Sequence, residues 1–251
     1  MVDLYERRYS YSSLTSFETC RHSFYLTYIL DSPRKQNMFS EYGSLCHEIL
    51  EKYFRGELEA FQLADYYADN YDRMVVSSPP FFIKTEEYYN QGYKFFDTFD
   101  FDKDEYEVLV IEDKVDVDLE DLKLIVKPDL VLKHKETGKV YLMDYKSSIV
   151  QKGDKIDEKK LAGYKKQLTL YCKHLKSIGV HADYLQLWFF RQKENKIYTF
   201  EVTEEDETKV DKWVARTVKK IRSEEKFEAT TDKFFCGQLC GVRDSCSFKP
   251  K

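Results

Sequence analysis

Two apolar runs, Leu130-Val131-Leu132 and Val140-Tyr141-Leu142-Met143, flank a polar stretch that contains Gly138. A chain with this pattern folds most readily as a β-hairpin, because each run suits a strand and the glycine suits the turn. A loop over residues 136–138 sets Asp129 opposite Tyr145, within one residue of Asp144. Side chains alternate along a strand, so Asp144 and Lys146 leave one face and Tyr145 leaves the other. Pro128 has no N–H to give a ladder and fits the start or a bulge of a strand, beside the first acid.

The charges at the end of the second run point to chemistry. Asp144 and Lys146 close what reads as a buried central strand, where an unpaired charge is costly and needs a role. Two carboxylates can hold a hard divalent cation that polarises a phosphate and acidifies a water, and an ammonium can steady the developing charge. Asp-x-Lys on a strand also occurs as an exposed charged edge. The buried setting favours the site, and the chemistry it suits is phosphodiester hydrolysis.

With 251 residues, 42% hydrophobic and 16% aromatic, the chain has material for one substantial core, and one domain with elaborations is expected over residues 1–251. No run approaches about 18 uninterrupted apolar residues, and the first eight residues lack the apolar core of a signal peptide. A cytoplasmic protein without a membrane partner is therefore expected. A net charge of −5 argues at first against a nucleic-acid partner. The charge is unevenly spread, however. Residues 100–121 hold eleven acids against Lys103 and Lys114, a balance of −9, whereas residues 151–176 hold eight lysines against Asp154, Asp157 and Glu158, a balance of +5. A solvated helix face accounts for some of these lysines, and the rest can form a local phosphate track.

Along the chain, a helix capped by Ser12 or Ser13 is expected to run to Asp31-Ser32-Pro33. A second should cover about residues 42–54 and carry His47, and two more about residues 58–75 and 82–96. Strands follow over about residues 106–118, 122–133 and 140–146. Leu161, Tyr164, Leu168, Tyr171 and Leu175 then define an amphipathic helix closing at Gly179, with Gln167 and Tyr171 one turn apart. A hairpin of residues 184–191 and 196–202 turns at Glu194-Asn195, before a helix opened by Thr203. The order implies an α/β layer with a mixed sheet. Glu112, on the strand before the hairpin, is a further candidate acid, with a surface role the favoured reading. No Walker-type glycine loop is present, so nothing points to nucleotide-driven work.

Six cysteines in such a chain favour metal or cluster binding over disulfides where they group. Cys236, Cys240 and Cys246 group near the C-terminus and need a fourth thiolate, for which Cys20 is the best candidate; Cys46 and Cys172 sit in apolar helical patterns and read as buried fillers. On spacing alone, zinc and an iron-sulfur centre stand equal.

Taken together, helix-borne His47, the Pro128-Asp129 and Asp144-Tyr145-Lys146 pair, Gln167 with Tyr171, and one N-terminal plus three C-terminal cysteines resemble the RecB-like branch of the PD-(D/E)xK nuclease superfamily. The nearest likeness is to stand-alone exonucleases associated with CRISPR systems and their phage relatives. The resemblance spans Ser10-Tyr11-Ser12-Ser13-Leu14 to Cys246. It implies a restriction-endonuclease-like core with a central mixed β-sheet flanked by helices (residues 105–203), an N-terminal helical elaboration (about residues 10–100), and a C-terminal helix and cysteine-bound cluster segment (residues 204–251) closed by Cys20.

It further implies that His47, Asp129, Asp144 and the backbone carbonyl of Tyr145 hold Mg²⁺ or Mn²⁺. Lys146 would orient or activate the attacking water, and Gln167 and Tyr171 would match the family's Q-x3-Y motif, which contacts DNA. Cys20, Cys236, Cys240 and Cys246 would bind a 4Fe-4S cluster, with Zn²⁺ the alternative; the spacing between the first two C-terminal cysteines is C-x3-C here, where relatives commonly have C-x2-C. The implied activity is a DNA exonuclease, 5′ to 3′ on single strands, in recombination, repair, phage DNA metabolism or CRISPR adaptation. It would act in a prokaryotic cytoplasm or that of a phage host, with room for a recombination, helicase or CRISPR adaptation partner and for homo-oligomers. A non-catalytic iron-sulfur or zinc subunit for DNA binding or assembly is the rival reading.

Overall fold

The computed structural model describes residues 3–193 and 196–248. Glu194-Asn195, the expected turn of the last hairpin, lies outside the described residues. The chain forms two compact units: one of residues 1–37, 115–126 and 208–251, the other of residues 38–114 and 127–207. The helical part expected ahead of the core is thus divided, its first segment grouping with the C-terminal region and its remainder with the main sheet.

The larger unit is built on a five-stranded sheet. Its strands are β2 (Tyr106–Ile111), β5 (Leu130–His134), β6 (Val140–Lys146), β9 (Tyr184–Phe189) and β10 (Ile197–Phe200), in the order β10-β9-β6-β5-β2. β6 and β9 run parallel and the other pairs antiparallel, so the sheet is mixed, with β6 at its centre. A short hairpin, β7 (Gln151–Lys152) with β8 (Lys155–Ile156), follows β6. Helices α3 (Met38–Phe54), α4 (Leu63–Met74) and α5 (Thr85–Asp97) share one apolar core with Ile111, Leu130, Met143, Tyr145 and Trp188 of the sheet. On the other face, α6 (Glu158–Leu175) packs on β6 and β9 and runs on through a short turn to Gly179, whose φ of +79° suits a glycine that ends a helix.

The 130–146 hairpin forms as expected but one residue out of step. Leu130 pairs with Met143 and Lys133 with Val140, and Gly138 takes φ +68° in the turn. The strands expected over residues 106–118 and 122–133 are each cut in two. Glu112 adopts a left-handed φ of +53°, which stops β2, and Lys127-Pro128-Asp129 separates the strand Leu122–Val126 from β5 because proline cannot donate to the ladder. The detached pieces, β3 (Val115–Leu119) and β4 (Leu122–Val126), pair antiparallel and belong to the smaller unit, where β1 (Arg8–Tyr9) adds a third strand parallel to β4.

In the smaller unit, α1 (Tyr11–Thr19) is capped by Ser10, two or three residues earlier than expected: its hydroxyl accepts from Ser13 N while Ser13 Oγ accepts from Ser10 N. The helix expected to continue to residue 31 breaks at Cys20, which is extended at φ −156°, and resumes as α2 (Arg21–Phe24) and a π-helical turn, Tyr25–Ile29. The last helix, α7 (Glu204–Arg222), starts after Thr203, whose hydroxyl accepts from Asp206 N.

Candidate metal and hydrolytic site

The C-terminal end of β6 places its alternating side chains on opposite faces, as the strand period requires. Tyr145 joins the core beneath α3, while Asp144 and Lys146 face α6. On that side Gln167 Nε2 donates to Asp144 Oδ1 at 3.0 Å, and Lys146 Nζ donates to Gln167 Oε1 at 3.1 Å. Gln167 also reaches Tyr171 Oη at 3.3 Å, one helical turn on. Lys146 forms an ion pair with Asp144 and lies 4.7 Å from the centre of the Tyr164 ring. Asp144 is 2% exposed, so nearly all of its charge must be answered by protein or by a bound cation.

Asp129, just before β5, meets the same peptide region from the other strand: its Oδ2 accepts from Tyr145 N at 2.7 Å. α3 brings His47 above it. His47 Nε2 is 3.2 Å from Tyr145 O, and His47 Nδ1 is 3.4 Å from Glu112 Oε1 and 3.6 Å from Asp129 Oδ2. Donor atoms of His47, Glu112 and Asp129 lie within 4.8 Å of one another, and this is the one such group among the described residues. A cleft of about 540 Å³ opens over His47 and Glu112, lined also by Ser44, Lys127 and Ser147.

The electrostatics are those of crowded buried acids. Burial pushes the Asp129 carboxyl up to about 7; His47 opposes the rise and Asp144 adds to it. Burial works against a charged His47, yet Asp129, Glu112 and Asp144 outweigh it and raise the imidazole above its ordinary range. Lys146 likewise loses to burial but is held above its usual range by Asp144 and Asp129. Acids this close, with one of them driven towards protonation, suit a divalent cation, and carboxylate, imidazole and backbone carbonyl donors fit Mg²⁺ or Mn²⁺.

Of the residues singled out from sequence, His47, Asp129, the Tyr145 backbone, Asp144, Lys146, Gln167 and Tyr171 form one connected set. Asp144 differs from its expected place in one respect: it is engaged by Lys146 and Gln167 and stands outside the tight three-residue group. Glu112, a further candidate acid for which the sequence favours a surface role, is instead largely buried and takes the third position. His47 and Lys127 hold its carboxyl below the usual range against the opposing pull of burial. The available signal was its position closing the apolar run Val108–Ile111, as Asp144 closes the run Val140–Met143, but only the left-handed turn at 112 aims it inward.

The cysteines lie in the smaller unit. Cys20, Cys236, Cys240 and Cys246 line one apolar pocket with Leu26, Phe235 and Val242. Backbone N–H groups of Ser23 and Thr230 donate to Cys20 Sγ at 3.3 and 3.4 Å. Burial, followed by the three other thiols, raises Cys236. No three of these sulfurs form a group within 4.8 Å. Cys46 and Cys172 are buried at 0% and 2% exposure, as fillers.

A family model described as the PD-(D/E)XK nuclease superfamily matches residues 8–247. No curated protein matches the sequence. Among solved structures, one from Eubacterium rectale bearing a provisional exonuclease name is similar in fold, with TM-score 0.52 and 14% identity over 97% of this chain and 90% of that one. Another, SSO0001, covers 95% of this chain and 98% of its own at 15% identity, but its TM-score of 0.34 carries no argument. No helix among the described residues is long and apolar enough to cross a membrane.

Proposed function

We propose, since this chain belongs to the PD-(D/E)XK nuclease superfamily, that it is a divalent-metal-dependent DNA exonuclease of the RecB-like branch, favouring single strands with 5′ to 3′ polarity. One observation carries the reading: His47, Glu112 and Asp129 converge beside an Asp144–Lys146 pair at the end of the central strand. The exonuclease name borne by the Eubacterium rectale neighbour accords with it.

His47, Asp129, Asp144 and the Tyr145 carbonyl would hold Mg²⁺ or Mn²⁺, with Glu112 added to the set. The bound ion supplies Lewis acidity at the phosphate and a more acidic water. Lys146, pinned by Asp144 and Gln167, orients the attacking water and offsets charge on the phosphate oxygens. Gln167 ties these two residues to α6 and to Tyr171, so that the amine cannot swing out of line. Water attacks phosphorus directly and no covalent enzyme intermediate forms.

The four pocket cysteines would carry a 4Fe-4S cluster that staples the chain ends of the smaller unit. A tetrahedral zinc draws its sulfurs to about 3.8 Å from one another, closer than any three of these cysteines come, and N–H donors on Cys20 are usual partners of a cluster thiolate. Recombination, repair, phage DNA metabolism and CRISPR adaptation are the settings in which such an activity would serve.

The deciding experiment is a cleavage assay on end-labelled single and double strands with Mn²⁺ or Mg²⁺, comparing the protein with Asp129→Ala and Lys146→Ala. Loss of cleavage with DNA binding retained supports the reading. Cleavage that survives both changes overturns it.

A further inference from the structure

Beyond the hydrolytic cleft, the larger unit has a second feature that its nuclease chemistry leaves unexplained. Two adjoining cavities, of about 720 and 570 Å³, share Glu87, Gln91, Arg191 and Lys193 and so form one groove. Its walls are the β7–β8 hairpin on one side and α5 on the other. Seven basic side chains line it against three acids, Glu86, Glu87 and Asp157, in a chain whose net charge is −5.

The groove is built rather than incidental. Arg191 stacks on Tyr88 with its guanidinium 3.3 Å from the ring centre and donates to Gln91 Oε1 at 2.8 Å, which fixes its plane. Gln192, 3% exposed, accepts from Val150 N and Gln151 N and so anchors the hairpin root, while Tyr198 Oη donates to Gln151 Oε1 at 2.8 Å. Gly153, at φ +59°, makes the tight turn that carries exposed Lys152 and Lys155. Lys160 Nζ donates to Ile149 O at 3.1 Å, and burial, helped by Arg191, pushes its amine below the ordinary range against the opposing pull of Asp157. The groove also reaches the cleft: Arg191 Nη1 lies 3.5 Å from Ser147 O, and Ser147 lines the space over His47 and Glu112.

We propose that this groove holds the sugar-phosphate backbone of one DNA strand, leading it past Arg191 to the His47–Glu112 cleft. The proposal rests on the nuclease reading above and names the path its substrate takes. Arg191 grips a phosphate in the fork geometry suited to it, and Lys152 and Lys155 contact the next phosphates from the hairpin. Phe81, 99% exposed in the turn three residues before groove-lining Lys84, offers a face on which an unpaired base can stack, which a duplex cannot use.

The test is fluorescence anisotropy with a labelled thymidine oligomer, in EDTA, across a salt series. Replacing Lys152 and Lys155 by alanine should weaken binding and flatten the dependence of log K on log salt by about 1.4, since each single-strand phosphate contact adds about 0.7. Between about 50 and 200 mM salt, the gap between the protein and the double variant should then narrow about 7-fold. The double change to arginine should restore both affinity and slope. Phe81→Ala should lower affinity with the slope unaltered, as a stacking contact does.

Unchanged affinity and slope in the double alanine variant overturn the groove. An equal loss on duplex of the same length overturns its assignment to a single strand. Wild-type protein that cleaves nothing with Mn²⁺, yet shows these binding changes, sinks the nuclease reading and leaves the groove standing; cleavage with an unchanged slope does the reverse.

Discussion

The Gln167 side chain donates to Asp144 at 3.0 Å from α6, so the helix as well as the strand holds the buried carboxylate. Its carbonyl oxygen simultaneously accepts from Lys146. Gln167→Ala leaves both partners short of a hydrogen bond, a loss of about 1–3 kcal/mol. Cleavage should fall about 10–100-fold. Gln167→Glu should fall further, because it adds a like charge beside Asp144. Steady-state kinetics on a single-stranded substrate decide this, and wild-type rates in both variants would contradict it.

Activity should rise with pH through about 7. Asp129 must be ionised and His47 free of its proton before either can bind metal; burial lifts the Asp129 carboxyl above its ordinary value, and the surrounding acids lift His47 against the opposing pull of burial. The check is kcat/KM from pH 5.5 to 8.5 at subsaturating Mn²⁺. A flat profile, or one that falls through this window, would rule out the assignment.

Stability of the metal-free protein should run the opposite way. Asp129 goes from an ordinary 3.8 to about 7 on folding, so the folded state holds the proton more tightly. That contribution is complete below 3.8 and is lost as pH rises through about 7; raised His47 continues the loss above 6.5. Asp129→Asn, which can still accept from Tyr145 N, should stabilise the metal-free protein at pH 8 by about 1–4 kcal/mol while lowering cleavage at least about 100-fold. Thermal melts in EDTA at pH 6 and 8 give the answer, with a larger gain at pH 6 counting against it.

Glu112→Gln should weaken Mn²⁺ binding about 10–100-fold, the usual cost of disturbing a ligand and its partners. Half-maximal activity would then need correspondingly more metal, with the rate recovered at saturation. An unchanged metal requirement would return Glu112 to the surface role first read for it.

Anaerobically purified protein should carry iron and sulfide with broad visible absorbance, and Cys20→Ala or Cys240→Ala should lose them and melt lower. Zinc found in place of iron would replace the cluster with the alternative.

The central strand and the helix opposite it were legible because each carries its own pattern: an apolar run closed by Asp144 and Lys146, and a three-and-four spacing that pairs Gln167 with Tyr171. What escaped depends on backbone geometry or on distant partners. The left-handed turn at Glu112 and the break at Pro128 divert β3 and β4 into another sheet, although the residues around them look like continuous strand. The one-residue register difference comes from where the ladder stops, which alternation alone does not specify. Cys20 interrupts a helix whose apolar spacing continues across it. The groove gathers Gln91, Lys152 and Arg191 from three separate elements, so no window of sequence contains it.

Tyr145 gives its N–H to Asp129 and turns its carbonyl towards His47, while its ring is buried in the core. A side-chain survey is therefore blind to what this position supplies. Replacing the tyrosine would register as damaged packing, and the carbonyl assigned to the ion in the proposed metal set would persist in every variant. Among natural sequences the letter at 145 could drift between bulky apolar residues without touching the chemistry, so its variability would be no measure of its importance.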